Sequence, residues 1–280
     1  MSFFKVAFMK ILMCWILILM LVSFTVFASD GSTHFETNPC YDKAVITART
    51  EIWKKINSGD AGSGSVAIME KGELVYFEGF GMADRENSIR VDEETVFSIA
   101  SVSKVFTAAG IMLLVDKGQI NLDERVSHYL PELNMPDTRY RQITVRMLLN
   151  HTSGIAGSTM ANACGYAYNQ DINEEIMNNI NQANLIHEPG TVAVYCNDGF
   201  ALAEMIVERV SGKSFMDFLT EEIFTPLKMQ HTGMTAKAKE KGTPAAFYSV
   251  PTGEKAPQEV VSSLGAGGLN ATSQDLLWEN

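Results

Sequence analysis

At 280 residues, 46% of them hydrophobic, the chain can bury one large core or two closely associated lobes. Its formal charge of −11 repels phosphate backbones and anionic lipid, which excludes nucleic acid as a partner. The five histidines are scattered, with no H-x-H and no H-E-x-x-H spacing, so neither a metal nor another cofactor is expected.

The chain opens on a predicted signal peptide over residues 1–28. Lys5 and Lys10 precede an unbroken apolar run from Ile11 to Val22, and Val26-Phe27-Ala28 resembles a small-residue cleavage site. The product is expected to be exported, periplasmic or secreted, with an uncleaved membrane anchor as the other reading. Cys14 lies mid-run, away from the cleavage site, which argues against lipid attachment there. Residues 29–280 then form one domain containing Cys40, Cys164 and Cys196. An odd count in an exported chain implies a free thiol or an intermolecular bridge. A Cys164–Cys196 bridge is conceivable, and spacing alone does not establish it.

Asp42 to Asn57 has helical spacing through Ala44, Val45, Ala48, Ile52, Trp53 and Ile56, and Ser58-Gly59 ends it. Gly64 to Met69 and Leu74 to Phe80 read as two strands joined by the hairpin signal Glu70-Lys71-Gly72-Glu73. Asp92 to Ile99 leads into a helix that Gly118 stops. Between Val105 and Val115 only Thr107 carries a polar side chain, so this helix is expected to be buried on every face. Thr144 to Asn150 is a short helix that Thr144 can cap.

Asp171 to Ala183 reads as a polar surface helix. Ala201, Leu202, Met205, Ile206 and Val210 mark a further helix from Asp198 to the stop at Ser211-Gly212. Ser214 caps another, which runs to Pro226. Ala245 to Val250 reads as a strand, Gly265 to Gly268 as a tight glycine turn, and Thr272 as the start of a last helix. Short strands near the ends with helices between them make an α+β chain.

Ser101 and Lys104 stand three positions apart at the start of the apolar helix, so both side chains project from one face. Desolvation at such a place favours a neutral amine, and an amine beside a hydroxyl is a general base beside a nucleophile. The positive end of the helix dipole lies under Ser101, where an oxyanion would form. The tetrapeptide alone is weak evidence, because Ser2 to Lys5 repeats it inside the leader. A second constellation is Tyr195-Cys196-Asn197, in the turn between Pro189-Gly190 and the following helix. Side chains two apart in an extended turn point the same way. Read by themselves, the pair is equally a packed tyrosine and a helix-capping asparagine.

Taken together, these residues resemble the β-lactamase and penicillin-binding-protein superfamily, most closely its class C-like serine hydrolases. The resemblance runs through F-S-I-A-S-V-S-K (97–104), L-L-N-H-T-S-G-I (148–155), P-G-T-V-A-V-Y-C-N-D-G-F (189–200), P-L-K-M-Q-H-T (226–232) and G-A-G-G-L-N-A-T-S-Q-D-L (265–276), in the family's order. It implies an antiparallel sheet flanked by helices beside a mostly helical lobe. It also implies that Ser101 attacks a carbonyl carbon, that Lys104 takes or relays the proton, and that Tyr195 acts as acid and base. Asn197 would bind the substrate amide and orient Lys104. The implied substrates are β-lactams, D-Ala-D-Ala-type peptides or other small-molecule or peptidoglycan-derived amides and esters.

The chain departs from the family at one place. A third motif, K-T-G or H-T-G, normally follows the glycine-rich block on a strand that supplies an oxyanion donor, and it is absent from this sequence. The expectation is a chain incomplete at its C-terminus, lacking those strands. His231-Thr232-Gly233 has the right letters in the wrong place, and His151-Thr152-Ser153-Gly154 is a structural turn by the same resemblance. The alternatives are an esterase or D-amino-acid peptidase on this scaffold, or a non-catalytic envelope protein that binds peptidoglycan. An α/β-hydrolase is excluded because no G-x-S-x-G occurs. Gly212-Lys213-Ser214 lacks the first glycine of a phosphate loop.

Overall fold

A computed structural model describes residues 34–35, 40–157, 162–249 and 252–277; the expected signal peptide lies outside them. Helix α1 (Asp42–Asn57) has Asp42 in its first turn and Lys54 and Lys55 in its last, an order that suits the helix dipole. It lies on a hairpin of β1 (Ser63–Glu70) and β2 (Glu73–Asp84), which pair antiparallel from Ser63 opposite Gly81 to Glu70 opposite Glu73. The two turn residues, Lys71 and Gly72, both have positive φ, as a two-residue hairpin requires. His34–Phe35 pairs with the other edge of β2. Trp53 of α1 meets Phe80 of β2 edge to face, with ring centroids 5.9 Å apart. Between helix and sheet, Arg49 forms a 2.8 Å ion pair with the buried Glu78, to which the Tyr76 hydroxyl also donates.

A second sheet carries the chain toward the helices. Strand β3 (Thr95–Ser98) is paired antiparallel to β8 (Leu269–Ala271) and parallel to β6 (Thr243–Pro244), and β8 is paired in turn to β5 (Gly233–Met234). A separate ladder joins β4 (Cys164–Gly165) to β7 (Val260–Val261). The helical lobe is built on α2 (Ser103–Asp116) and α5 (Asn197–Ser211). Around them stand α3 (Val145–Leu149), α4 (Ile172–Ile180), α6 (Phe215–Leu219) and the single turn α7 (Leu264–Gly267). Phe106, Ile111, Leu114, Leu148, Ile206, Val207 and Phe218 are fully enclosed in one core. Gly110 on α2 admits Phe218, whose ring edge lies 3.3 Å from where a β-carbon would sit.

The α+β expectation holds, and so do the hairpin, the α1 boundaries and the caps of α3 and α6, where Thr144 accepts from Met147 N–H and Ser214 from Asp217 N–H. Other expectations are corrected. Helix α2 is not buried all round: Val102 just before it, and Val105 and Met112 along it, are exposed. Helix α4 is not polar throughout, because Ile172, Ile176, Met177 and Ile180 form a buried stripe beneath an acidic and amide face. The strand expected over 245–250 is only Phe247–Tyr248 within the described residues. The glycine turn at 265–268 folds as α7, and the chain after Thr272 forms turns rather than a helix up to residue 277. Cys164 is an exposed free thiol and Cys196 a buried one, so no bridge joins them. Among the described residues no helix is long and apolar enough to cross a membrane.

Candidate active site

Strand β3 delivers the chain to a 3₁₀ turn, Ala100–Val102, which runs straight into α2. Ala100 adopts a positive φ of 42°. Ser103 braces this junction: its hydroxyl donates to Ala100 O at 2.7 Å and accepts from Leu269 N–H at 3.2 Å. Ser101 is therefore presented on a turn fixed to both the sheet and the helix, with its side chain exposed.

Lys104, one turn on, is 8% exposed, and its Nζ has three acceptors. It lies 2.5 Å from Ala266 O, 2.7 Å from Asn197 Oδ1 and 3.4 Å from Ser101 Oγ. Three acceptors match the three hydrogens of an ammonium group. The Tyr195 and Phe200 rings stand 4.9 and 5.4 Å from the same nitrogen, close enough for cation–π attraction. This arrangement suits a cation held in place, whereas sequence alone suggested a neutral amine.

The Tyr195 hydroxyl donates to Ser101 Oγ at 2.7 Å, and the side chain is 52% exposed. Burial would raise its pKa, but hydrogen bonding to Lys104 and Ser101 and the Lys104 charge outweigh it, so the phenol lies below its usual value of 10. The Tyr195-Cys196-Asn197 turn is held by His151. Val194 N–H donates to His151 O at 2.9 Å and Cys196 N–H to His151 Nδ1 at 3.1 Å. The imidazole also stacks on Tyr195, with centroids 4.7 Å apart. Burial first, and then the Lys104 charge, lower the His151 pKa, which preserves the acceptor on Nδ1.

Cys196 caps α5: its Sγ accepts from Gly199 N–H at 3.3 Å and faces Gly157 O at 3.6 Å. Burial pushes this thiol up to about 11, so it is a structural cap rather than a nucleophile. Asn197 follows as the first residue of α5, and the helix start aims its amide at Lys104.

The four residues singled out from sequence thus meet at one place: Ser101, Lys104, Tyr195 and Asn197 form a continuous hydrogen-bonded chain. Three contributors were missed. Ala266 acts through a backbone carbonyl, which no side-chain pattern reports. His151 was read only as part of a turn. Glu204 was not singled out on its helix, yet it is buried and holds the backbone of α7. The rejected triplet at 231–233 lies elsewhere: His231 N–H and the Thr232 hydroxyl both donate to Asp275 Oδ2 at 2.8 Å, and Gly233 pairs with Asn270 in the sheet. Among the described residues no group of three or more His, Cys, Asp and Glu side chains gathers into a metal site.

The Beta-lactamase family profile matches residues 44–277. Penicillin-binding protein 4* of Bacillus subtilis (strain 168) is 37% identical over 175 residues, which cover 61% of this chain and 37% of that protein. The crystal structure of a class C beta-lactamase superposes with a TM-score of 0.73 at 26% identity, over 86% of this chain and 65% of its own. The octameric penicillin-binding protein homologue from Pyrococcus abyssi superposes with a TM-score of 0.71 at 28% identity, over 83% of this chain and 54% of its own. The matched region thus spans well under half of the Bacillus relative.

Proposed function

The chain belongs to the beta-lactamase family, whose members are serine hydrolases, and we propose that it transfers acyl groups through Ser101. The observation that carries this reading is the pair of contacts at Ser101 Oγ, with Tyr195 Oη at 2.7 Å and Lys104 Nζ at 3.4 Å. Tyr195 acts as base in its phenolate form, which the neighbouring cation favours by lowering the phenol: the phenolate takes the Ser101 proton as Oγ bonds to a carbonyl carbon. The same proton then passes to the leaving nitrogen or oxygen as the scissile bond breaks, and the acyl group stays on Ser101. In the second step Tyr195 deprotonates a water that attacks the ester, which returns the proton to Oγ. Lys104 stays charged throughout and stabilises the phenolate. Asn197, anchored by Oδ1 on Lys104, offers its amide N–H to a substrate carbonyl.

The substrates proposed are β-lactams, D-Ala-D-Ala-type peptides and related amides or esters. The name of the Bacillus relative supports the penicillin-like class. Export to the periplasm or beyond the cell, proposed from Lys5, Lys10 and the apolar run after them, places the chain beside peptidoglycan. The test is covalent labelling by a fluorescent penicillin, run beside a chromogenic cephalosporin and a short-chain nitrophenyl ester. Labelling that disappears in Ser101→Ala supports the acyl-enzyme. Equal labelling of Ser101→Ala refutes it. Ester turnover without any penicillin labelling moves the substrate to the ester class.

A further inference from the structure

Glu204 lies on α5, two turns beyond Asn197, and is 3% exposed. Its Oε2 accepts from Gly265 N–H at 2.6 Å. The carbonyl of the same Gly265 accepts from the Thr107 hydroxyl of α2 at 2.8 Å. The Gly265 backbone is thus held at both its N–H and its carbonyl, and the next carbonyl, Ala266 O, is the one 2.5 Å from Lys104 Nζ. The fit is close: a β-carbon on Gly265 would lie 2.8 Å from Glu204 Cβ and 3.0 Å from Phe200 O.

We propose that Glu204 is a positioning residue for the Ser101–Lys104 pair, acting through the backbone of α7, and that its partner Asn173 lets this hold respond to protonation. The inference rests on reading Ser101 and Lys104 as the reacting pair. Asn173 on α4 donates from Nδ2 to Glu204 Oε1 at 3.1 Å, while its own Oδ1 is buried without a partner. The amide can therefore serve either state of Glu204. With the carboxylate it donates through Nδ2; after a half-turn, Oδ1 accepts from the carboxylic acid. The charged form of Glu204 grips Gly265 N–H more strongly than the neutral form does. Ionisation accordingly fixes Ala266 O toward Lys104, and protonation slackens it.

The surroundings put this change near neutrality. Burial raises Glu204 to about 7, against the lowering effect of Gly265 N–H and Asn173, and the Glu208 charge one turn along adds to the rise. From the loop before α4 the Tyr168 phenol feels Glu204 and Glu208 and is itself raised, first by burial, so it stays neutral here. The facing groups from α4 and α7 are the uncharged Asn173 amide and Gly265 N–H.

The test follows the Gly265 amide proton and the Lys104 side-chain signals by NMR across neutral pH in isotope-labelled full-length chain. In the wild type both titrate with one shared midpoint near 7. In Glu204→Gln, which keeps an acceptor for Gly265 N–H and loses the charge, both become flat. Asn173→Ala removes one donor to the carboxylate and moves both midpoints upward together, which keeps the idea testable should Glu204→Gln fold poorly. A Gly265 amide that does not titrate in the wild type overturns the proposal. So does a Lys104 signal that ignores either substitution. The readout needs no turnover, so its failure is told apart from a failure of penicillin to label Ser101, which sinks the acyl-transfer reading and leaves Glu204 only a structural clamp on α7.

Discussion

The Tyr195 hydroxyl donates a 2.7 Å hydrogen bond to Ser101 Oγ across 94 residues of sequence. The acyl-transfer reading rests on this contact. Tyr195→Phe keeps the ring against His151 and Lys104 and removes only the hydroxyl. Loss of one general base typically costs about 10²–10⁴-fold. The expected result is a fall of that size in the rate of Ser101 labelling, with an unchanged melting temperature.

The labelling rate should rise with pH along a limb set by the Tyr195 phenol, with its midpoint below 10. The cation holds that midpoint down and burial pulls it up. Lys104→Gln removes the cation and leaves the burial, so the limb is expected to move to higher pH. A pH series of labelling rates for the two proteins measures the shift directly.

Glu204 also makes folding stability depend on pH, with a definite sign. Its folded pKa, about 7, lies above the ordinary carboxylate value of 4.5. Between those values the folded chain keeps a proton that the unfolded chain releases. Its contribution to stability is therefore full below the lower value, shrinks as pH rises, and is gone above the upper one. The change is on the order of 3 kcal/mol. Urea unfolding of wild type and Glu204→Gln across that window should show a difference that shifts in favour of the glutamine protein as pH rises.

Cys196 does the work usually given to serine or aspartate at a helix start. Cys196→Ala should cost about 1 kcal/mol through the lost cap, and Cys196→Ser should recover most of it. Chemical denaturation of the three proteins separates capping from simple packing, because serine restores the acceptor while being smaller than cysteine.

Gly265→Ala tests the clamp by crowding. Overpacking a filled site costs roughly 1–3 kcal/mol, and here the added methyl presses against Glu204 and Phe200 O and pushes on the turn that carries Ala266 O. Melting temperature and labelling rate should fall together. Gly267→Ala is the matched control, since its β-carbon would meet nothing closer than 3.6 Å, and both quantities should stay near wild type.

Much of the site was legible because its four side chains sit in local patterns that chemistry constrains. Ser101 and Lys104 share a helical face, and Tyr195 and Asn197 flank a turn. What escaped was whatever acts through backbone or through tertiary burial. Ala266 contributes a carbonyl, which any residue could supply. Glu204 follows Ala201, Leu202 and Ala203 in a helix whose core-facing apolar spacing is clear, and nothing local says that a turn from residue 264 onward covers it. The same limit explains α4, where asparagines and glutamates hid an isoleucine stripe of regular helical spacing. The exposed Val105 and Met112 show the converse: an apolar run records what a helix can bury, not which faces its neighbours cover.

Ala100 turns the chain left-handed one residue before the Ser101 hydroxyl. A methyl-bearing residue in that region is held under a tension of roughly 1–2 kcal/mol, stored at the joint where strand hands over to helix. A single exchange to glycine would release it and loosen the same joint. Selection at position 100 therefore faces a trade between sturdiness and aim, and a lineage that relaxes the joint gives up some of the sharpness with which it presents its hydroxyl.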